Sequence, residues 1–188
     1  TGASAKYLGI DDEQRYAGRG VSACATCDGF FYRKKTVAVV GGGDTACEEA
    51  SYLSNLADKV YMIVRKDYLR ASKVMQRRVM ENQKIEIFFN TNTVGLFGDA
   101  KVEGAHLVRF KGTDREETFD IAIDGFFLGI GHRPNTDIFA NQIALDEQGY
   151  IKTDGVTTAT NIPGVFAAGD VADPRYRQAI TSAGMGCK

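Results

Sequence analysis

Residues 36–46, TVAVVGGGDTA, join an unbroken apolar run, rich in β-branched residues, to three consecutive glycines. Such a run is typical of a strand that is buried on both faces of a parallel sheet. The glycines fit the pattern G-x-G-x-x-A, in which they permit a tight turn and let the backbone approach a diphosphate. A helix is predicted over residues 44–56 with Asp44 as its N-cap, so the stretch predicts a dinucleotide site at a helix N-terminus. The alternative is an ordinary glycine-rich turn.

The alternation of strands and helices continues beyond this stretch. Residues 59–64 and 85–89 are predicted strands, and a charged helix is predicted over residues 68–82 between them. This order predicts an α/β fold with a parallel, doubly wound, Rossmann-like sheet and right-handed crossovers. Residues 94–121 alternate with a period of two, which predicts an inserted antiparallel β-ribbon, and residues 126–130 are predicted to return to the parallel sheet.

The remaining residues form a separate segment in this interpretation. Short strands are predicted at residues 150–153 (YIKT) and 165–169 (VFAAG), followed by a helix of small residues near the end. The second of these strands ends in Gly169-Asp170, which places a carboxylate and backbone N–H groups at a strand's carboxyl end. Ligands of open α/β sheets bind at that position.

The composition excludes several classes of protein. The chain has 188 residues, a net charge of −1, 44% hydrophobic and 25% charged residues, which is ordinary for a globular protein and unlike a disordered chain or a coiled coil. A net charge so close to zero provides no general attraction to nucleic acid or to an anionic membrane. Four cysteines are too few for a secreted disulfide scaffold, so a cytoplasmic location is predicted. Because the first residue is Thr1, we expect a piece of a longer protein.

The residues after the second predicted strand indicate which dinucleotide is bound. Arg65 and Lys66 lie where an acidic residue would bind the ribose 2′-OH of NAD, and Arg70 follows one turn later. Basic groups at this position favour the 2′-phosphate, so NADP(H) is predicted. A solvated helix face is the better interpretation for the three basic residues that follow, Lys73, Arg77 and Arg78.

The motif CATCDG contains a C-x-x-C pair, Cys24 and Cys27. An exposed thiolate can attack a partner's disulfide and a second, nearby thiol can release the mixed disulfide. Asp28 could protonate the leaving thiolate. The alternative is half of a zinc site, but zinc needs four ligands, and Cys47 and Cys187 are isolated. A redox pair is therefore predicted, with no metal and with the other two cysteines structural.

Taken together, these motifs resemble one family. The chain contains, in this order, CATCDG, GGGDTA, RKDYLRA, GIGHRPNT, GVFAAGDV and YRQAITSAG. It resembles the low-molecular-weight, bacterial-type thioredoxin reductases over its whole length. The resemblance implies a cytoplasmic, homodimeric flavoprotein with one nucleotide-binding fold for FAD and one for NADPH. It implies residues 1–4 as the end of the FAD domain and hinge, residues 5–131 as the NADPH domain, and residues 132–188 as an incomplete C-terminal portion of the FAD domain.

The resemblance also implies roles for individual residues. Cys27 would face the flavin, Cys24 would attack thioredoxin, and Asp28 would be the acid. The implied flavin contacts are Gly169, Asp170, Arg177, Gln178 and Ala179. The other predicted cofactor contacts are Gly41, Gly42, Gly43, Asp44, Thr45, Glu48, Arg65, Lys66, Arg70, Ile130 and Gly131.

The implied mechanism is a relay from NADPH through FAD and the Cys24–Cys27 disulfide to thioredoxin, with rotation of the NADPH domain about connections near Ala3–Ala5 and residues 131–133.

The chain departs from the family at Val64-Arg65-Lys66, where the family has H-R-R. The G-x-G-x-x-G that binds the FAD diphosphate and the C-terminal helix are absent, so we expect no reductase activity from the chain by itself and weak FAD binding. The alternatives are the reductase of a peroxide-reducing system, whose residues between the cysteines differ, and an NADPH-binding module without turnover.

Overall fold

The computed structural model describes residues 1–188 and divides into two compact units. One unit comprises Tyr7–Gly131, and the other comprises Thr1–Lys6 together with His132–Lys188. None of the helices is both long and apolar enough to cross a bilayer.

The secondary structure consists of ten strands, five α-helices and two short 3₁₀ helices. The strands are β1 (Ala3–Ala5), β2 (Val21–Ser22), β3 (Thr36–Val40), β4 (Lys59–Ile63), β5 (Ile85–Phe88), β6 (Thr91–Phe97), β7 (Gly104–Arg109), β8 (Glu117–Ala122), β9 (Gly125–Leu128) and β10 (His132–Pro134). The α-helices are α1 (Asp11–Arg15), α2 (Ala25–Asp28), α3 (Asp44–Ser54), α4 (Lys73–Met80) and α5 (Ala179–Gly186). The 3₁₀ helices are Gly29–Tyr32 and Asp137–Phe139.

The unit Tyr7–Gly131 is built on a five-stranded parallel sheet with the order β2-β9-β3-β4-β5. Strand β3 is central and its alternate residues enter different cores. Val37 and Val39 pack with helices α3 and α4, whereas Ala38 and Val40 pack in the core on the opposite face. Burial of both faces explains why this strand is a continuous apolar run. The predicted α/β fold with a Rossmann-like parallel sheet is confirmed.

The predicted β-ribbon is also confirmed, as the antiparallel sheet β6-β7-β8. Its inner residues Leu96, Leu107 and Ile121 belong to the same core as Ala38. The ribbon therefore covers one face of the parallel sheet, and α3 and α4 cover the other. On the exposed face of the ribbon, the Nδ1 atom of His106 lies 2.7 Å from an oxygen of Asp120.

Helix α4 is shorter than the prediction of residues 68–82, because it begins only after Ser72. Ser72 has an extended backbone, with φ −56° and ψ 151°, so no helix runs through it. The backbone N–H groups of Arg70 and Ala71 donate to the carbonyl oxygen of Gly42, at 2.7 and 3.2 Å. Residues 65–71 form an irregular connection that lies against the glycine loop. The prediction also missed the short elements β2, α1 and α2 and both 3₁₀ helices.

The second unit contains the antiparallel pair β1–β10, in which Ala3 opposes Pro134 and Ala5 opposes His132. The strands predicted at residues 150–153 and 165–169 are wrong, because each makes only a single bridge, Leu145 with Ile151 and Ala159 with Phe166.

The physical reason for residues 150–153 is that their backbone groups bond to different parts of the chain, whereas residues 165–167 bond only to the adjacent residues 158–162. The N–H of Ile151 donates to Val171, whereas that of Lys152 donates to Ala144. No neighbouring strand runs alongside for long enough to form a ladder. The predicted C-terminal helix of small residues is confirmed as α5.

Candidate redox and nucleotide-binding sites

The predicted disulfide between Cys24 and Cys27 is present, with an S–S distance of 1.97 Å and a Cα–Cα distance of 5.3 Å. Cys24 is the N-cap of α2, and its Sγ accepts the N–H of Cys27 at 3.2 Å. The N–H of Cys24 donates in turn to the hydroxyl of Ser22 at the end of β2, at 3.1 Å. The redox pair is therefore attached directly to the end of a sheet strand.

The two sulfurs differ in their surroundings. Cys27 is exposed, whereas Cys24 is half-buried. Asp28, at the end of α2, is also half-buried. Burial, together with the negative charges of Asp28 and Asp124, raises the pKa of the Tyr32 phenol next to this turn. Hydrogen-bond donors contact the sulfur of Cys24, whereas Cys27 is the more accessible of the two cysteines to solvent.

Two aromatic side chains beside the disulfide were not identified from the sequence. Phe30 is 63% exposed and Phe31 is 70% exposed, on the 3₁₀ helix that follows α2. The guanidinium of Arg33 lies 5.4 Å from the ring centroid of Phe30. A pair of consecutive aromatics directly after a redox motif is the signal that could have identified this apolar surface.

The other two cysteines are free, as predicted. Cys47 lies in the core under α3, where burial and the negative charges of Asp44 and Glu48 raise the pKa of its thiol to about 11. Cys187 is exposed near the end of the chain. The structure contains no group of three or more His, Cys, Asp or Glu side chains that could hold a metal ion.

The three glycines after β3 have different surroundings. A Cβ atom on Gly41 would lie 2.4 Å from the carbonyl oxygen of Gly129, and one on Gly42 would lie 2.9 Å from a methyl group of Val64. A Cβ atom on Gly43 would meet nothing within 4 Å. The first two glycines are therefore required for packing, and the third leaves the backbone open to a ligand.

The N-cap of α3 is Gly43, so the prediction that Asp44 caps this helix is wrong. The Asp44 carboxylate instead accepts the N–H and the hydroxyl of Ser72, at 2.9 and 2.8 Å. These two bonds lower the pKa of the Asp44 carboxyl. The first intrahelical bond is donated by Cys47 to Gly43. The N–H groups of residues 44–46 therefore have no acceptor within the helix.

The structure brings the predicted basic residues next to this loop. Arg65, Lys66 and Arg70 are all exposed, and none has a carboxylate within ion-pair distance. Arg77, by contrast, pairs with Glu81, in keeping with a surface role. Free cations beside unpaired helix N–H groups form an environment for phosphate groups.

Glu48 does not join this cluster. Its side chain lines a separate polar groove of about 400 Å³ between α3 and α4, together with Tyr52, Arg78 and Asn82. Thr45 lies in the first turn of α3, and Glu48 lies one turn further along. At the end of β9, Ile130 packs partly against the ribbon-side core and Gly131 has a φ of +94° with open space around it.

One edge of the parallel sheet collects most of these residues. Strands β2, β9, β3 and β4 run parallel, so their carboxyl ends share that edge. The C-x-x-C turn follows β2, the glycine loop (residues 41–43) follows β3, and the basic connection (residues 65–71) follows β4. Ligands of open α/β sheets bind at this edge.

In the second unit, predicted cofactor residues lie around the start of α5. Gly169 has a φ of +82°, and Asp170 accepts the hydroxyl of Ser182 at 3.2 Å. Arg177 has a φ of +50°. Gln178 and Ala179 are the N-cap and the first residue of α5.

His132 was not singled out from the sequence, although the motif GIGHRPNT contains it. Its Nδ1 is buried without a hydrogen-bond partner. Burial is the main cause that lowers the pKa of its imidazole. The positive charges of Arg177 and Lys6 lower this pKa further, whereas the negative charge of Asp170 raises it. A buried, unpartnered ring nitrogen among charged groups suits a polar ligand.

The profile of the family described as "Pyridine nucleotide-disulphide oxidoreductase" matches residues 1–186. The chain belongs to that family. It is 54% identical over 189 residues to the thioredoxin reductase of Eremothecium gossypii and 55% identical over 195 residues to that of Coxiella burnetii. Each alignment covers 100% of this chain but only 59% and 60% of those relatives, so the chain spans about three fifths of their length.

Solved structures agree with these sequence relatives. The thioredoxin reductase of Giardia duodenalis has a TM-score of 0.90 at 42% identity, covering 100% of this chain and 61% of that one. The thioredoxin reductase of Streptococcus pyogenes MGAS5005 has a TM-score of 0.89 at 38% identity, covering 99% of this chain and 60% of that one. The resemblance seen in the sequence motifs is confirmed.

Proposed function

We propose that the chain is part of an NADPH-dependent thioredoxin-disulfide reductase, a flavoprotein that passes electrons through the Cys24–Cys27 disulfide. The observation that carries this proposal is an accessible C-x-x-C disulfide at the same sheet edge as a dinucleotide loop. The names of the relatives support the same assignment.

The chemistry that the chain's own residues perform is thiol–disulfide exchange. In the reduced pair, the Cys24 thiolate attacks a disulfide sulfur of thioredoxin, which forms a mixed disulfide and expels one thioredoxin thiolate. The Cys27 thiolate then attacks the Cys24 sulfur, which re-forms the Cys24–Cys27 bond and releases the second thiolate. Two electrons leave the pair, and thioredoxin gains a dithiol.

Hydrogen bonding to the Cys24 sulfur, and not solvent access, supports this division of roles. The N–H of Cys27 and the hydroxyl of Thr26, 3.2 and 3.4 Å from the Cys24 sulfur, favour a thiolate at Cys24. Asp28 is next to Cys27 in sequence. We assign it as the general acid that donates a proton to the leaving thiolate.

The exposed pair Phe30 and Phe31 is assigned to partner docking. Large apolar side chains that remain exposed beside a reactive group are typical of a protein-binding surface. A protein disulfide that packs against these rings would bring its sulfur to the Cys24–Cys27 turn. A small disulfide reagent needs no such contact.

For NADPH, the open backbone at Gly43 and the N–H groups of residues 44–46 suit the diphosphate, and the unpaired Arg65, Lys66 and Arg70 suit the 2′-phosphate. For FAD, the polar groups around His132, Asp170 and Arg177 suit part of the cofactor. When bound, FAD converts the hydride of NADPH into the electron pair that a disulfide accepts. A cytoplasmic location and a homodimer belong to the same proposal.

The exchange step can be tested on the 188-residue chain. The probe is thioredoxin that retains only its attacking cysteine, activated as a mixed disulfide with thionitrobenzoate. With Cys187 replaced by serine in both variants, we expect the Cys27→Ser variant to displace the coloured thiol and remain linked to thioredoxin through Cys24, and the Cys24→Ser variant to react at least tenfold more slowly. Equal rates, or a faster Cys24→Ser variant, would overturn the assignment of Cys24.

A further inference from the structure

The glycine loop and the basic connection are joined by four hydrogen bonds. The carbonyl oxygen of Gly42 accepts the N–H groups of Arg70 and Ala71, at 2.7 and 3.2 Å. The Asp44 carboxylate accepts the N–H and the hydroxyl of Ser72, at 2.9 and 2.8 Å. We refer to the second pair of bonds as the Asp44–Ser72 clasp. The backbone of one loop is thus held against the other at successive residues.

We propose that the Asp44–Ser72 clasp is a specificity-determining device, which positions the basic connection relative to the glycine loop and so sets the preference for NADPH over NADH. Asp44 is then a positioning residue, and its carboxylate does not contact phosphate. This inference rests on the proposed NADPH site.

The physical argument starts from what each nucleotide requires. NADH and NADPH present the same diphosphate to the glycine loop, but only NADPH carries a 2′-phosphate for Arg65, Lys66 and Arg70. Those three side chains have no ion pair to hold them, so their backbone alone decides where they lie relative to the loop. The N–H of Asn90 holds the carbonyl of Lys66, at 3.0 Å, and the clasp fixes the other end of the connection, after Arg70 and just before α4 begins. Loss of the clasp should therefore weaken the binding of NADPH, because NADPH contacts both the glycine loop and the basic connection.

The charge of Asp44 points to the same role. A carboxylate at the start of α3 would repel a diphosphate that approaches the helix N–H groups. Both donors of Ser72 bond to one oxygen of this carboxylate, Oδ1, and so direct it towards the start of α4. Replacing the carboxylate by an amide keeps an oxygen acceptor for Ser72 but removes the repulsion.

The test measures NADPH and NADH affinities of the 188-residue chain by calorimetry. Loss of a hydrogen bond of this kind corresponds to about a 2- to 10-fold change in affinity. We expect Ser72→Ala to lower NADPH affinity by about that factor and to leave NADH affinity unchanged. Asp44→Ala, which removes both bonds, should reduce the preference further. Asp44→Asn should raise the affinities for both nucleotides by a similar factor and so leave the preference for NADPH over NADH unchanged.

The chain offers a matched control in its other unit. Asp154 accepts the N–H and the hydroxyl of Thr157, both at 2.6 Å, which repeats the chemistry of the clasp away from the glycine loop. Thr157→Ala should leave both affinities unchanged.

The outcomes separate the clasp from the proposed NADPH site. An unchanged preference in both Ser72→Ala and Asp44→Ala would overturn the role of the clasp. A preference lost equally in Asp44→Asn and Asp44→Ala would show that charge, and not the clasp, decides. A wild-type chain that binds NADPH and NADH equally would instead contradict the proposed NADPH site itself.

Discussion

Gly41 and Gly129 lie so close that a Cβ atom on Gly41 would stand 2.4 Å from the carbonyl oxygen of Gly129. The same Cβ would lie 2.9 Å from that of Ala46, the last position of the glycine motif. The ends of β3 and β9 and the first turn of α3 are therefore in direct contact. This contact holds the N-terminus of α3 at the carboxyl edge of the sheet.

The first prediction follows from this contact. Gly41 also has a φ of +135°, which a side chain disfavours. Backbone strain and overpacking together should make Gly41→Ala less stable by about 2–5 kcal/mol. Urea unfolding of the chain measures this free energy.

Gly43→Ala is the matched control, because Gly43 has a φ of −94° and open space around it. Its free energy of unfolding should fall by no more than about 1 kcal/mol, the cost of replacing a glycine N-cap by alanine. Its NADPH affinity should fall by about tenfold, since the methyl group occupies the open side of the loop. Equal stabilities of the two variants would contradict the packing argument.

The second prediction concerns Phe30 and Phe31. Truncating both to alanine should slow exchange with the activated thioredoxin by about tenfold, because a docking surface is lost. The rate with a small aromatic disulfide should stay within about twofold, and stability should be nearly unchanged because both rings are exposed.

The control for this experiment is Ile138→Ala, which removes a side chain that is 66% exposed in the other unit. It should affect neither rate. If the double variant slowed both disulfides equally, the rings would act on the redox pair and not on the partner.

The third prediction concerns the free cysteines. The pKa of Cys47 is raised to about 11, so the thiol is protonated at pH 8, and it is also buried. Iodoacetamide should alkylate Cys187 at pH 8 at least a hundredfold faster than Cys47, because the thiolate is the reactive form. Peptide mass mapping of the folded chain measures both rates. Unfolding in urea should make the two rates similar, and rapid alkylation of Cys47 before unfolding would contradict its place in the core.

The fourth prediction is a pH dependence. The Asp173 carboxylate accepts the N–H groups of residues 175–177 and is also within 3.4 Å of the Thr181 hydroxyl. Burial alone would raise its pKa, but these donors hold the pKa of Asp173 below its ordinary value. A lowered folded-state pKa contributes stability above the unfolded value of about 3.9, and this contribution is lost as the pH falls through the folded-state pKa.

Thermal unfolding of the segment 173–186, followed by its amide signals at pH 7, 5 and 3, tests this. Asp173→Asn should cost about 1–3 kcal/mol at pH 7, because an amide satisfies fewer of the N–H donors. The difference between wild type and variant should shrink towards pH 3. A difference that stays constant over this range would show that the carboxylate's charge is not involved.

Several expectations from sequence failed where a distant segment supplied the hydrogen-bond partner. The start of α4 was misplaced because Arg70 and Ala71 are held against Gly42, 28 residues or more away in the chain, and the extended backbone of Ser72 interrupts the helix. The cap of α3 was misassigned because Ser72 holds the Asp44 carboxylate. The two strands of the second unit were overpredicted because a strand needs a neighbour, and neither apolar run carries information about one.

The sequence by itself determined the strand, glycine turn and helix of residues 36–46, the Cys24–Cys27 pair and the cluster of basic residues after β4. Each follows from local patterns: β-branched residues in a run, three consecutive glycines before a helix, and two thiols three residues apart. Only the tertiary structure decided that these features share one edge of the sheet, that Ser72 engages Asp44, and that Phe30 and Phe31 stay exposed. These properties depend on strand order and on partners remote in the chain, which local patterns do not encode.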